Sequence, residues 1–211
     1  GCSGDSDAAD KTGASAGGSE SPSASPSNYL QVPSGIVLTP QGSALDLGAA
    51  ASVAWQLGET RIAAVEVKVT RLEQVPISRL GAWDLDAKGK KSTPYFVTAT
   101  VRNIGRGDLA GVAVPLYVSL GKQPVGQGGR ERLVGRSSFE GTYKPCPSTP
   151  LPKKFGSGKK ATMCWVYLAP NSGVLESVTF YPGPGFDPIT WTGSVVKPES
   201  KKKQQGKDGK K

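Results

Sequence analysis

The sequence contains no histidine, three cysteines and a single methionine among its 211 residues. Without an imidazole the chain cannot form a Ser-His-Asp or Cys-His catalytic pair, and it cannot bind zinc or iron through histidine. No apolar run approaches the roughly 18 residues that a membrane-spanning helix requires. Any enzymatic chemistry would therefore depend on carboxylates, lysine, tyrosine or thiol groups, and no membrane span is expected in this sequence.

Both ends of the chain are poor in large apolar residues, and this predicts three regions. Residues 1–35 are rich in serine, glycine and alanine, carry a net charge of −3, and are predicted to form a disordered linker. Residues 194–211 are predicted to form a disordered lysine-rich tail, in which 197–211 carry a net charge of +5. The intervening residues 36–193 carry a net charge of +7 and are long enough for one domain with its own core.

Apolar residues alternate with polar ones along much of the middle region. Val65, Val67 and Val69 occupy every second position, which is typical of a strand with one buried face. The same period recurs at residues 95–101, 112–118 and 164–168, and shorter apolar pairs occur at 178–180 and 189–191. The apolar residues on both faces of 164–168 predict a strand that is covered on both sides. Seven or so short strands separated by Gly- and Pro-rich turns predict an antiparallel β-sandwich.

Two segments of the middle region depart from a simple strand pattern. Pro115 lies within the alternating segment 112–118, and because proline has no backbone N–H it predicts an edge strand or a bulge there. The alanine-rich segment 47–55 is the only candidate for a helix. The predicted architecture is therefore all-β with at most one helix.

Cys146 and Cys164 are 18 positions apart and form the one pair of thiols within the predicted domain. In an exported protein such a pair is most simply a disulfide. Closing a loop of this length would stabilise the fold by about 3 kcal/mol, and it would fasten a proline- and lysine-rich insert to the sheet. A redox-active pair is the alternative, although the spacing is not Cys-x-x-Cys and an apolar strand around Cys164 would raise the pKa of its thiol.

The dipeptide Gly1-Cys2, followed by a polar low-complexity segment, resembles the end of a bacterial lipobox and the start of a mature lipoprotein. The resemblance implies that Cys2 is diacylated and that the linker tethers the folded domain to the extracytoplasmic face of the cell membrane. Two acyl chains would anchor the protein stably, whereas one alone is marginal. The alternative is that Cys2 is a chance thiol; a processed lipoprotein would begin at Cys2 and would not retain Gly1.

Several short motifs carry a second resemblance, which covers about residues 57–191. They are LGET at 57–60, YFVTATVRNIG at 95–105, CWVYLAP at 164–170, VTFY at 178–181 and ITW at 189–191. Their order is similar to that in the immunoglobulin-like, telokin-like domains of secreted antigens and lipoproteins from high-GC Gram-positive bacteria. The resemblance implies an immunoglobulin-like antiparallel β-sandwich without catalytic residues. Long inserts at 76–94 and 121–160 depart from the family pattern, so no loop function is carried over.

Positive charge is the remaining signal, since lysine and arginine exceed aspartate and glutamate by 26 to 17. The candidate anion-binding residues are Lys153, Lys154, Lys159, Lys160, Lys201, Lys202 and Lys203. They could attach the protein electrostatically to anionic cell-wall polymers or lipid headgroups. Alternatively, they only increase solubility. Nucleic acid is not expected as a partner, because an exported protein seldom meets it and no recognition helix is predicted.

These patterns favour a non-catalytic lipoprotein of the cell surface, acting as a binding or structural module, with another envelope protein as a further possible partner. The alternative is an enzyme acting on envelope polymers, with Asp84, Asp86 or Glu131 as acid and base. Asp84 and Asp86 could also chelate a cation, but calcium normally gathers six to eight oxygens and only two carboxylates are visible here. No cofactor or metal is expected.

Overall fold

A computed structural model of the chain describes residues 29–81, 83–121, 132–134 and 143–199. These residues form ten strands, one short α-helix and two 3-10 helices. Cys2 and most of the predicted linker, Glu131, and the tail lysines Lys201, Lys202 and Lys203 lie outside the described residues.

The elements follow one another along the chain with the following bounds. The strands are β1 (Ala44–Asp46), β2 (Ala50–Gln56), β3 (Ile62–Gln74), β4 (Thr93–Asn103), β5 (Leu116–Leu120), β6 (Arg132–Val134), β7 (Lys160–Ala169), β8 (Leu175–Phe180), β9 (Ile189–Thr192) and β10 (Val195–Val196). The helix α1 spans Ala87–Lys90, and the 3-10 helices span Ile77–Leu80 and Pro170–Ser172.

The strands form two sheets that face each other. One sheet has the order β1-β9-β8-β5-β6, and the other has the order β10-β3-β4-β7 with β2 also paired to β3. The prediction of an all-β sandwich is therefore confirmed. Most strand pairs are antiparallel, as predicted, whereas β1 pairs with β9 and β10 pairs with β3 in parallel.

The main core lies between the two sheets and is built by the alternation found in the sequence. On the inner faces of β4 and β7, Val97 lies opposite Trp165 and Tyr95 opposite Tyr167. All four side chains are buried, as are Phe180 and the other large residues that face them from β8 and β9. Burial of a side chain of this size contributes about 1.5–3 kcal/mol, so these aromatic residues act as core.

A second, smaller core covers the outer face of the sheet that contains β4 and β7. Phe96 and Val166 point away from the main core and are buried beneath Leu80, Leu85 and Cys146. The insert at residues 76–94 therefore folds against the sheet. This confirms that the strand at 164–168 is covered on both faces.

The alanine-rich segment 47–55, the one candidate for a helix in the sequence, is not helical. Most of it forms β2, in which Ala51 pairs with Val67 and Val53 pairs with Val65 of β3. Ala51 and Val53 are completely buried. Alanine has a high helix propensity, but burial of alternate residues against the opposite sheet outweighs it here.

The strand predicted at 112–118 begins only at Leu116. Before it, the amide of Val112 donates to the carbonyl of Leu109, and Gly111 between them has a φ of +69°, so the chain turns there. Pro115 precedes β5, and because β5 lies between β8 and β6 it is not an edge strand. The ladder irregularity in this strand lies at Ser119 and Leu120 instead.

Residues outside the predicted domain boundaries at 36 and 193 also pack against the sandwich. The hydroxyl of Tyr29 accepts a hydrogen bond of 3.3 Å from the amide of Ala54, and the Tyr29 ring lies 5.4 Å from that of Phe186. Burial raises the pKa of the Tyr29 phenol above its usual value of 10.0. At the other boundary, β10 pairs with Leu72 and Glu73.

Candidate functional site

A disulfide joins Cys146 to Cys164, as the sequence predicts, with 4.9 Å between the two Cα atoms. Cys146 is fully buried, whereas Cys164 is only half-buried on the outer face of β7, less than the sequence suggests. Next to the bond, the amide of Ser148 donates to the Cys164 carbonyl (2.9 Å), and the Ser148 hydroxyl accepts from the amide of Val166 (2.8 Å). The bond therefore fastens the insert along the open edge of β7.

Four of the seven lysines that are predicted to bind anions lie among the described residues. The structure places all four at one end of the sandwich. Lys153 and Lys154 lie in the loop before β7, Lys159 ends that loop, Lys160 begins β7, and all four are exposed. Three arginines, which sequence reasoning did not group with them, lie at the same end. We define the basic end as Arg61, Arg102, Arg106, Lys153, Lys154, Lys159 and Lys160.

The side chain of Asn103 connects the two loops that carry most of these cations. Its Nδ2 atom donates to the carbonyl of Gly107 (2.6 Å) and to that of Phe155 (2.9 Å), while Oδ1 accepts from the amide of Gly105 (3.0 Å). Asn103 is only 1% exposed, so water does not compete for these bonds. An asparagine at this position is required because the amide group supplies donors and an acceptor together.

The backbone of Asn103 adds two further bonds to the lysine-bearing loop. Its amide donates to the Lys159 carbonyl (2.8 Å), and its carbonyl accepts from the amide of Gly158 (2.7 Å). One residue earlier on β4, Arg102 lies directly opposite Lys160 of β7. Asn103 therefore sets the positions of the cations on both sides of it.

Asp108 connects the third loop of the basic end, the hairpin turn before β3, to the loop after β4. Its carboxylate accepts from the amides of Ala110 (3.0 Å) and Phe155 (3.3 Å), and its carbonyl accepts a hydrogen bond from the guanidinium group of Arg61. The hairpin turn before β3 is thereby joined to the loop after β4. The basic end is a fixed arrangement of three loops held by backbone carbonyls and amides.

Positive charge at this end is not balanced by neighbouring carboxylates. The same loops and strand ends carry seven cations and three carboxylates, those of Glu59, Glu66 and Asp108, of which Glu66 lies opposite Arg102 in the β3–β4 register. Among the residues that the structure describes, none of the seven cations forms an ion pair, whereas Arg71 and Glu73 elsewhere on β3 lie 3.1 Å apart. Clustered charge of one sign raises the local concentration of an anionic partner and speeds its association.

Of the carboxylates considered for catalysis or cation binding, Asp84 and Asp86 lie among the described residues and Glu131 does not. Asp84 and Asp86 are both exposed, and Asp86 caps α1 by accepting a hydrogen bond of 2.7 Å from the amide of Gly89. Within residues 29–81, 83–121, 132–134 and 143–199, no group of three or more cysteine, aspartate or glutamate side chains could hold a metal ion. Asp86 has the structural role of a helix N-cap.

Sequence reasoning missed an aromatic groove at the same end of the sandwich. It encloses about 640 Å³ and is lined by Trp55, Gln56, Pro115, Tyr117, Tyr181, Gly183 and Pro184. The rings of Tyr117 and Tyr181 meet edge to face with their centroids 6.2 Å apart. No local pattern marks this groove, because its residues come from three segments that are far apart in the sequence.

Comparison with known proteins yields little beyond these observations. No helix in the described part of the chain has the length and hydropathy to cross a bilayer. No protein-family model matches the chain, and no curated protein matches it. A solved structure described as "a putative lipoprotein from Staphylococcus aureus" is similar to it, at 10% sequence identity and a TM-score of 0.38, over 70% of this chain and 99% of that one. A likeness of this degree says nothing about function.

Proposed function

We propose that the protein is a non-catalytic lipoprotein on the extracytoplasmic face of a bacterial membrane, and that its basic end binds anionic polymers of the cell envelope. The observation that carries the proposal is the convergence of seven cations at one end of the sandwich without ion-pair partners among the described residues. The hydrogen bonds of Asn103 to Gly107, Phe155 and Lys159 join the backbones of the loops that carry Arg106 and the lysines.

The location outside the cytoplasm is supported by the disulfide. Structural disulfides form and persist in oxidising compartments and are rare in the cytosol. The disulfide between Cys146 and Cys164 fastens the insert to β7, and this role is structural. Together with the Gly1-Cys2 dipeptide and the polar linker after it, this favours an exported protein that is tethered by lipid.

The lipid anchor is tested by replacing Cys2. Expressed behind a lipoprotein signal sequence in a Gram-positive host, the protein is expected to incorporate labelled palmitate and to enter the detergent phase on Triton X-114 partition. The Cys2→Ser variant should lose the label and stay in the aqueous phase, because no other thiol is positioned for acylation. A double variant, Cys146→Ser with Cys164→Ser, is the control and should keep the label. Palmitate incorporation that persists in Cys2→Ser would exclude an anchor at this residue.

Polymer binding is tested by replacing Lys153, Lys154, Lys159 and Lys160 together with glutamine. Each cation near an anionic surface contributes to attraction, so loss of four of the seven is expected to weaken binding by about tenfold or more. The measurement is cosedimentation of the purified chain with isolated Gram-positive cell walls. Binding should also weaken with salt, because the Debye length falls from about 10 Å at 0.1 M to about 3 Å at 1 M.

A variant with Lys201, Lys202 and Lys203 replaced by glutamine separates the tail from the basic end. It removes three charges of the same kind and is expected to bind cell walls more tightly than the four-lysine variant does. Walls stripped of anionic polymers by acid extraction are a second control and should bind poorly. Equal binding to stripped and intact walls would refute the proposal.

An enzyme acting on envelope polymers remains a hypothesis without a supporting observation. General acid–base catalysis requires two carboxylates placed at one cleft. Asp84 and Asp86 are exposed on the insert that covers the outer face, and Asp86 is engaged as a helix cap.

A further inference from the structure

The aromatic groove differs from the rest of the molecule in how its polar atoms are used. Elsewhere, buried aromatic side chains donate to backbone carbonyls: Trp165 to Thr149 (3.2 Å) and Trp191 to Ala49 (2.9 Å). Trp55 is also buried, with 5% of its surface exposed against 1% for Trp165 and 0% for Trp191, yet its indole N–H has no hydrogen-bond acceptor among the described residues. A buried indole N–H normally has an acceptor, so this one is available to a ligand.

The tyrosines of the groove show the same contrast. The hydroxyl of Tyr95 donates to the carbonyl of Gly173 (3.0 Å) and that of Tyr167 to the carbonyl of Leu116 (2.8 Å). The hydroxyls of Tyr117 and Tyr181 in the groove form no hydrogen bond with any residue that the structure describes. Apolar ring faces and uncommitted polar groups are therefore combined in one groove.

Backbone hydrogen bonds fix the shape of the groove. The amide of Gln56 donates to Pro182 (2.8 Å), and the amide of Tyr181 donates to Pro115 (3.1 Å). At Gly183, whose φ is +149°, an added Cβ would lie 2.9 Å from the Cβ of Gln56, so only glycine fits. Small-molecule sites are usually formed in advance in this way, with a few polar groups on apolar walls.

The groove is continuous with the basic end. Gln56 and Pro184 also line a neighbouring depression with Leu57, Gly58 and Glu59. Arg61 closes this hairpin turn, because its carbonyl accepts a 2.8 Å hydrogen bond from the amide of Leu57 and its guanidinium group reaches the loop after β4. A ligand that leaves the aromatic groove along this depression passes Glu59 and reaches the turn that carries Arg61.

We propose that the groove binds pyranose rings of an anionic polysaccharide. The apolar faces of the sugar would stack on Tyr117 and Tyr181, while its hydroxyls would bond the Trp55 N–H, the tyrosine hydroxyls and the Gln56 amide. Its carboxylate groups would face the basic end, where cations outnumber carboxylates. The inference rests on the proposed function and identifies the part of the polymer that the groove recognises.

A proline-rich peptide is the other ligand that an aromatic groove commonly accepts. Proline has no N–H, so such a segment cannot donate to the acceptors at this end, the Gln56 carbonyl and the Glu59 carboxylate. A neutral peptide would also make no use of Arg61 and the cations beyond it. The observed groups therefore favour the sugar.

The test uses the full-length chain and three probes: a hexamer of α-1,4-linked galacturonic acid, the neutral hexamer maltohexaose and a proline decamer. Binding is followed by tryptophan fluorescence and by saturation-transfer NMR. We expect the galacturonate hexamer to bind most tightly and Tyr181→Ala to weaken both hexamers by about fivefold or more, since one aromatic contact is lost. Arg61→Gln should weaken binding of the galacturonate hexamer only.

Val174→Ala is the matched control, because Val174 is 66% exposed and lies just before β8, at the opposite end of that strand from Tyr181. It should leave all affinities unchanged. The inference is overturned if neither hexamer binds, if Tyr181→Ala binds them as the parent does, or if only the proline decamer depends on Tyr181. Any of these results can coexist with lysine-dependent binding to cell walls, so failure of the groove and failure of the proposed function are distinguishable.

Discussion

Replacing Cys146 and Cys164 together with alanine is expected to lower the free energy of unfolding by about 3 kcal/mol. The disulfide closes a loop with a sequence separation of 18, and its loss would increase the conformational entropy of the unfolded chain. For a protein of this size the midpoint of thermal unfolding should fall by about 10 °C. Circular dichroism during heating measures this shift, and reduction of the parent protein should produce a similar one.

Cys2→Ser provides the comparison, since it removes a thiol that takes no part in the bond. Its thermal midpoint should equal that of the parent. Titration of the unfolded Cys2→Ser protein should detect no free thiol before reduction and two after it. Two free thiols in the unreduced protein would show that the sulfurs are not bonded.

Asn103→Ala is expected to lower the free energy of unfolding by about 3 kcal/mol, which is large for a single polar side chain. The substitution removes three hydrogen bonds of the Asn103 side chain, those to the carbonyls of Gly107 and Phe155 and that from the amide of Gly105. The Gly105 amide keeps the Ala64 carbonyl and the Phe155 carbonyl keeps the Leu109 amide as partners, whereas the exposed Gly107 carbonyl loses its hydrogen bond. Each hydrogen bond contributes about 0.5–1.5 kcal/mol net, so the loss of three amounts to about 3 kcal/mol. Chemical denaturation with urea measures the change.

Asn171→Gly is the control for this substitution. Asn171 is exposed with a φ of +54°, a conformation that glycine adopts without strain, so its replacement should change stability very little. Asn103→Ala should also weaken binding to cell walls, because the cation-bearing loops lose their common support. A loss of stability below about 1 kcal/mol would mean that the three bonds contribute less than their burial suggests.

Local periodicity was sufficient to predict most of the sandwich. At residues 65–69 of β3 and 97–103 of β4, fully buried positions alternate with more exposed ones, because a strand places successive residues on opposite faces. β2 escaped detection because Ala51 and Ala54 are small and helix-favouring, and their burial is decided by a distant sheet. The parallel pairings of β1 with β9 and of β10 with β3 join segments that are far apart in the sequence, and no local pattern encodes them.

The candidate site was predictable only in part. The disulfide followed from the presence of a single pair of cysteines in the domain, and the exposed lysines followed from their composition. Asn103 belongs to the motif YFVTATVRNIG, but its hydrogen bond to Phe155 joins two residues that are 52 positions apart in the sequence. The groove could not be foreseen, since Trp55, Tyr117 and Tyr181 meet only after both sheets have formed.

The pairing along β3 has a consequence for self-association. One side of this strand is shared by β2 over Ile62–Lys68 and by β10 at Leu72 and Glu73, and between them the carbonyl of Val69 accepts from the amide of Gly48 (2.8 Å). A strand edge with unpaired backbone N–H and C=O groups can pair with another chain and form an intermolecular sheet. Because three separate segments share one flank of β3, this strand presents no continuous hydrogen-bonding edge on that side to a neighbouring molecule.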